Sequence, residues 1–188
     1  MAQEFEIGKN PFAKLMKVIL IVGIAGAGGM FLNSVGCLAS PWHHGIWAFF
    51  YFINPLNIIA LWGALALCAF ALRSTSSQIV NSGILLANFI CACAVGGFFL
   101  LSYAEEDLSI LADLSAIGMA VLQILIYIKI KNVPELKNLA VFSLVFAIAL
   151  SAACIFSFVP YLNLVLSWAE LAACILLLIN YYKTFTAQ

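Results

Sequence analysis

Glu170 and Asp113 are the two residues of this chain best placed to do chemistry, because each carboxylate lies inside a long apolar stretch. An ionised carboxylate at the centre of a bilayer costs about 2.5–3.5 kcal/mol on insertion scales. No Lys, Arg or His lies deep in any apolar stretch to offset that cost. Three arrangements remain. The group is protonated, it faces a water-filled cavity, or it holds a cation taken from outside the protein.

Both acids belong to polar stripes with helical spacing. Asn163, Ser167, Glu170 and Cys174 fall at i, i+4, i+7 and i+11, one face of a helix. Ser109, Asp113, Ala116, Ala120, Gln123 and Tyr127 repeat that spacing. Asn81 and Asn88 form a shorter stripe, as do Ser143, Ala147, Ser151 and Cys154. Polar side chains in lipid turn toward the bundle interior. The stripes therefore predict a polar, carboxylate-bearing cavity open to one side of the membrane. Glu170 would be its central acceptor and Asp113 its outer attraction site, with Asn57, Asn163, Ser167, Asn88 and Gln123 as the lining. Interhelical hydrogen bonding without a ligand is the competing use of the same residues, worth about 0.6 kcal/mol per pair.

The elements that must position these residues are six apolar spans, at about 15–35, 46–72, 78–103, 108–130, 136–158 and 161–182. Each is near the ~20 residues needed to cross a ~30 Å hydrocarbon core. Only 9% of the chain is charged, against about 25% in soluble domains, so most of the surface must face lipid. The expected class is an all-α, polytopic integral membrane protein: a single transmembrane domain over residues 1–188, built from three helical hairpins.

All eight basic residues fall at one side of this layout. Lys9, Lys14 and Lys17 lie before or at the start of span 1, Arg73 follows span 2, Lys129, Lys131 and Lys137 lie at or between the facing ends of spans 4 and 5, and Lys183 follows span 6. Glu105, Glu106 and Asp107 fall on the other side. The positive-inside rule then predicts a multi-pass protein of the plasma or inner membrane with both termini cytoplasmic. Trp42, Trp47, Tyr103 and Tyr161 would mark the outer interface, and Tyr127, Tyr181 and Tyr182 the inner one. With no basic patch beyond these loops, nucleic acid is excluded as a partner.

Span 1 reads as a packing helix. Gly23, Gly26, Gly28 and Gly29, interleaved with Ala25 and Ala27, remove side-chain bulk so that another backbone can approach. The opposing surface would come from this chain, with Gly96 and Gly97 as candidates, or from a second copy or another membrane subunit. Pro55, flanked by Asn54 and Asn57, predicts a kink in span 2 or a break lining a site.

The chain also repeats itself. Residues 56–72 align with 162–178 without gaps, sharing Leu56/Leu162, Asn57/Asn163, Trp62/Trp168, Leu65/Leu171, Ala66/Ala172, Cys68/Cys174 and Leu72/Leu178. Ala112-Asp113 would take the place of Leu56-Asn57 in the middle hairpin. Parallel repeats of this kind build pseudo-symmetric bundles.

Recognisable catalytic motifs are missing: no HExxH, GxSxG or P-loop occurs. No cofactor and no metal site are expected. His43 and His44 are adjacent, and neighbouring histidines ligate one metal poorly without a third partner. The six cysteines lack an external pair and read as small packing residues. The expected function is non-enzymatic and transport-related: a channel, carrier or substrate-binding subunit for a proton, a cation or a small polar solute. The alternative is a non-catalytic or stress-related membrane partner that docks other subunits through span 1.

Overall fold

The computed structural model describes residues 12–39, 45–105 and 107–186. Lys9, Trp42, His43, His44 and Glu106 lie outside the described residues. Six helices account for nearly all of the rest: α1 (Met16–Ala39), α2 (Ile46–Ser76), α3 (Ser82–Leu101), α4 (Leu108–Ile130), α5 (Lys137–Ile155) and α6 (Pro160–Thr186). A short 3-10 turn, Pro134–Leu136, leads into α5. All six are long and apolar enough to cross a membrane. The protein is thus an all-helical, polytopic membrane protein.

The helix boundaries have local causes. Asn81 stands just before α3, and its side chain accepts from the Gly83 amide at 2.7 Å. That cap starts α3 at Ser82 rather than at Gln78, and it makes Asn81 an exposed terminus instead of part of an interior stripe. At the end of α2, the Ser74 hydroxyl donates to the Ala71 carbonyl and the Thr75 hydroxyl to Ala71 and Leu72. These hydroxyls turn back onto their own helix, and α2 runs on to Ser76, four residues past the expected end. Pro55 sits within α2, which continues through it as a single helix. Of the two arrangements open to Pro55, the break lining a site is therefore not the one found. Gly45 opens α2 at φ 63°, a conformation that side chains with a Cβ rarely adopt.

Each helix packs against its neighbours in sequence, and α6 closes the circle on α1. A further α2–α6 contact crosses beneath α1. Short connections make consecutive helices antiparallel, so the bundle has two distinct ends. Lys14, Lys17, Arg73, Lys129, Lys131, Lys137 and Lys183 gather at one, called here the basic end. Glu105 and Asp107 lie at the other, the acidic end.

The glycines of α1 meet this ring in different ways. A Cβ on Gly26 would stand 2.7 Å from both the Asn57 carbonyl oxygen and the Leu61 amide nitrogen of α2. On Gly29 it would meet the Asn57 side chain. On Gly23 it would meet Leu178 of α6 at 2.6 Å and Ala64 of α2 at 2.8 Å. Gly28 faces open space. The surface opposing α1 is therefore α2, with help from α6. Gly96 instead lies under the Trp62 side chain, and Gly97 touches nothing within 4 Å.

The repeat shows itself in how the units join. Trp62 of α2 lies against α3, beside Gly96 and Phe99, with its ring centre 6.4 Å from that of Phe99. Trp168, its counterpart in α6, lies against α1, 5.2 Å from Phe31 between ring centres. In both cases the second helix of a hairpin uses its tryptophan to touch the first helix of the next hairpin. Leu65, Cys68 and Leu72 are buried, as are Leu171, Cys174 and Leu178. The middle hairpin departs from this. Placing Asp113 on Asn57 puts Val121, Ile124 and Ile128 at those three positions, and all are exposed. Ala120 and Gln123, one residue earlier, are the buried ones. The burial phase of α4 is thus offset by one residue from the sequence placement.

Candidate functional site

The apolar stripe of α4 turns Ala112, Ala116, Ala120 and Gln123 inward, and Asp113 follows at its edge, half-buried. The inward face of α6 carries Leu171, Cys174, Leu177, Leu178 and Tyr181, with Glu170 at its half-buried margin. Between α4 and α6 stands α5, which packs on both. Cys154 of α5 lies within electrostatic reach of Asp113 and of Glu170, and the two carboxylates lie within reach of each other. Cys174 is one turn from Glu170 and within its reach as well. Among the described residues, no ion pair and no hydrogen bond reaches either carboxylate. Two acids from separate hairpins and Cys154 of the intervening helix thus lie within electrostatic range of one another.

The remaining residues expected to line one cavity fall into separate places. Asn163 and Ser167 lie on the Glu170 face of α6 toward the acidic end, and the Ser167 hydroxyl donates to Asn163 Oδ1 at 3.3 Å. Asn57 turns away toward α1, where its side chain packs on Gly29 and its Nδ2 finds no acceptor. Gln123 lies ten residues below Asp113, about 15 Å along the helix axis. There its Nε2 donates to Asn88 Oδ1 of α3 at 3.1 Å, with both residues buried.

This second, deeper polar layer contains a residue that the sequence reading assigned elsewhere. Tyr181 is 1% exposed rather than at an interface. Its ring stacks on Phe185 at 5.9 Å between centres, and its hydroxyl points toward Gln123 and Cys68. The signal was present in the stripe: Tyr181 follows Cys174 by seven residues and so continues the Glu170 face. Distance from the span end alone points to the interface, whereas helix phase turns Tyr181 inward. Among the described residues in the basic half of the bundle, Asn88 Nδ2, Gln123 Oε1, Ser143 Oγ and the Tyr181 hydroxyl are buried without a hydrogen bond of good geometry. Each such buried orphan costs about 1–3 kcal/mol.

An open depression of about 480 Å³ lies at the acidic end, lined by Tyr51, Ser102, Tyr103 and Ala104. Behind it the Asn54 amide donates to the Tyr103 hydroxyl. Neither carboxylate lines this depression.

The chemistry open to the Asp113–Cys154–Glu170 set is limited by its spacing. Among the described residues no three His, Cys, Asp or Glu side chains approach closely enough to hold one metal ion.

Comparison with protein-family models, with curated proteins and with solved structures found no match for this chain.

Proposed function

We propose that this is a small membrane transport protein: a channel, carrier or substrate-binding subunit for a proton, a cation or a small polar solute. The observation that carries this reading is the Asp113–Glu170 pair. Two carboxylates from different hairpins converge across α5, at membrane depth and without a basic partner. A fixed pair of negative charges in a low-dielectric setting is expensive unless a cation or proton joins it. A protein that needed only packing at these positions would be better served by leucine. Glu170 is the central acceptor in this reading, Asp113 the acceptor nearer the acidic end, and Asn163 and Ser167 the polar approach.

The positions of the charged ends support both termini on the cytoplasmic side and the acidic end facing out, in a plasma or inner membrane. A solute would then arrive from the outside past Glu105, Asp107 and Asp113. Docking through α1 draws less support, because Gly23, Gly26 and Gly29 are already occupied by α2 and α6 of the same chain.

The test is a thermal-shift screen of the purified protein against monovalent and divalent cations and small polar solutes. A stabilising shift that disappears in Glu170→Gln and needs a higher ligand concentration in Asp113→Asn is the expected result. Identical profiles for wild type and both variants, across the whole screen and in a proton-flux assay in vesicles, would overturn the reading.

A further inference from the structure

We infer that the Asn88–Gln123–Tyr181 layer is a built hydration site that holds at least one ordered water inside the apolar core. This does not depend on the transport reading. Asn88 and Gln123 are 0% and 1% exposed, and Tyr181 is 1% exposed, so bulk solvent does not serve them. Their one mutual hydrogen bond uses Gln123 Nε2 and Asn88 Oδ1. It leaves Asn88 Nδ2 as an unused donor and Gln123 Oε1 as an unused acceptor. The Tyr181 hydroxyl lies beside Gln123, within reach of a polar interaction, but makes no hydrogen bond of good geometry.

The mismatch does not depend on how the amides are oriented. Turning both over would exchange the bonded atoms and again leave one donor and one acceptor unused. The Tyr181 hydroxyl beside Gln123 adds a third polar atom without a well-formed hydrogen bond to the buried Asn88–Gln123 pair. Water matches that set: it accepts from an amide N–H, donates to an amide oxygen and bonds a phenol. Buried waters occur where two to four otherwise unsatisfied polar groups converge. Apolar solutes have no reason to enter, and an ion would find no full charge to answer it. Residues from three helices contribute, so the water would tie α3, α4 and α6 together at a depth where direct bonds fall short.

Hydroxyl-radical footprinting of the full-length protein in detergent, read by mass spectrometry, tests this, because radicals formed from a bound water mark the side chains beside it. Tyr181 should be modified several-fold faster than Phe146, a buried aromatic on α5 with 0% exposure, after correction for intrinsic reactivity. Gln123→Leu removes the acceptor and should bring Tyr181 down toward the rate of Phe146, with elution and helical content unchanged. Protection of wild-type Tyr181 equal to that of Phe146 would overturn the proposal, whatever the variant does. Tyr181 labelling that persists undiminished in a folded Gln123→Leu protein would also overturn it, by placing the water elsewhere.

Discussion

Gly26 of α1 and Leu61 of α2 meet backbone to backbone: a Cβ on Gly26 would stand 2.7 Å from the Leu61 amide nitrogen. No rotamer change relieves that contact, because the obstacle is main chain. Gly26→Ala should therefore push α1 away from α2 and destabilise by about 1–3 kcal/mol, as overpacking does. At Gly29 the obstacle is the Asn57 side chain, which can swing aside, so Gly29→Ala should cost less. Gly28→Leu meets nothing within 4 Å and should be nearly silent. Thermal unfolding in detergent measures all three. The ranking Gly26, then Gly29, then Gly28 is the prediction, and a silent Gly26→Ala would show that α1 and α2 do not touch there.

The two matched tryptophans should respond differently to the same substitution. The Trp168 indole N–H donates to the Ser34 hydroxyl at 2.7 Å, whereas the Trp62 indole N–H has no partner. Trp168→Phe should lose that bond, about 0.6 kcal/mol and up to ~1.7 for interhelical pairs in membranes, beyond any loss of ring contact. Ser34→Ala should cost a similar amount, and the double variant less than the sum of the two. Trp62→Phe removes an orphan donor and should be the milder change. Equal losses at both tryptophans would contradict the assigned bond.

The presence of six spanning helices was legible because run length and hydropathy decide what can span a bilayer, and α4 begins and ends where the apolar run does, whereas α1, α2 and α6 each run four residues past the expected end. Which helices meet was not legible. Helix phase reveals the face of a side chain but not the neighbour that face meets. Asn57 and Asn163 share their spacing to a tryptophan and a cysteine, yet one packs on α1 and the other continues the Glu170 face. Asp113 and Glu170 are 57 residues apart in sequence, and only the placement of α5 between their helices brings them together. At Gly23, Gly26 and Gly29 the backbone of α1 comes close to α2 or α6 while Gly28 faces open space, and the neighbour is α2 rather than the glycines of α3.

Orientation in the membrane rests on the charged ends and has a direct test. Cys37 is native and exposed, close to the acidic end of α1. A membrane-impermeant maleimide added to intact cells should label Cys37. A cysteine introduced by Ser77→Cys, in the exposed turn after α2, should react only after the cells are opened. The reverse pattern would invert the topology and place the carboxylate pair nearer the cytoplasm.

Glu170 and Asp113 should not be equivalent, although they share one site. Glu170 lies ten residues into α6, about 15 Å from its end, while Asp113 lies five residues into α4, about 7.5 Å from its end. The deeper charge has less access to water and depends more on a bound cation or proton to balance it. Glu170→Gln keeps the volume and most hydrogen-bonding capacity while removing the charge, so the variant should fold and elute like wild type. Reconstituted into vesicles, it should lose proton- or cation-coupled flux by ten-fold or more. Asp113→Asn should reduce the apparent affinity for the cation more than the maximal rate, because an outer acceptor concentrates the ion without being the step it must pass. If Asp113→Asn abolished flux while Glu170→Gln left it intact, the order of the two sites would be wrong. The two substitutions together separate a central acceptor from an outer one, which neither can do alone.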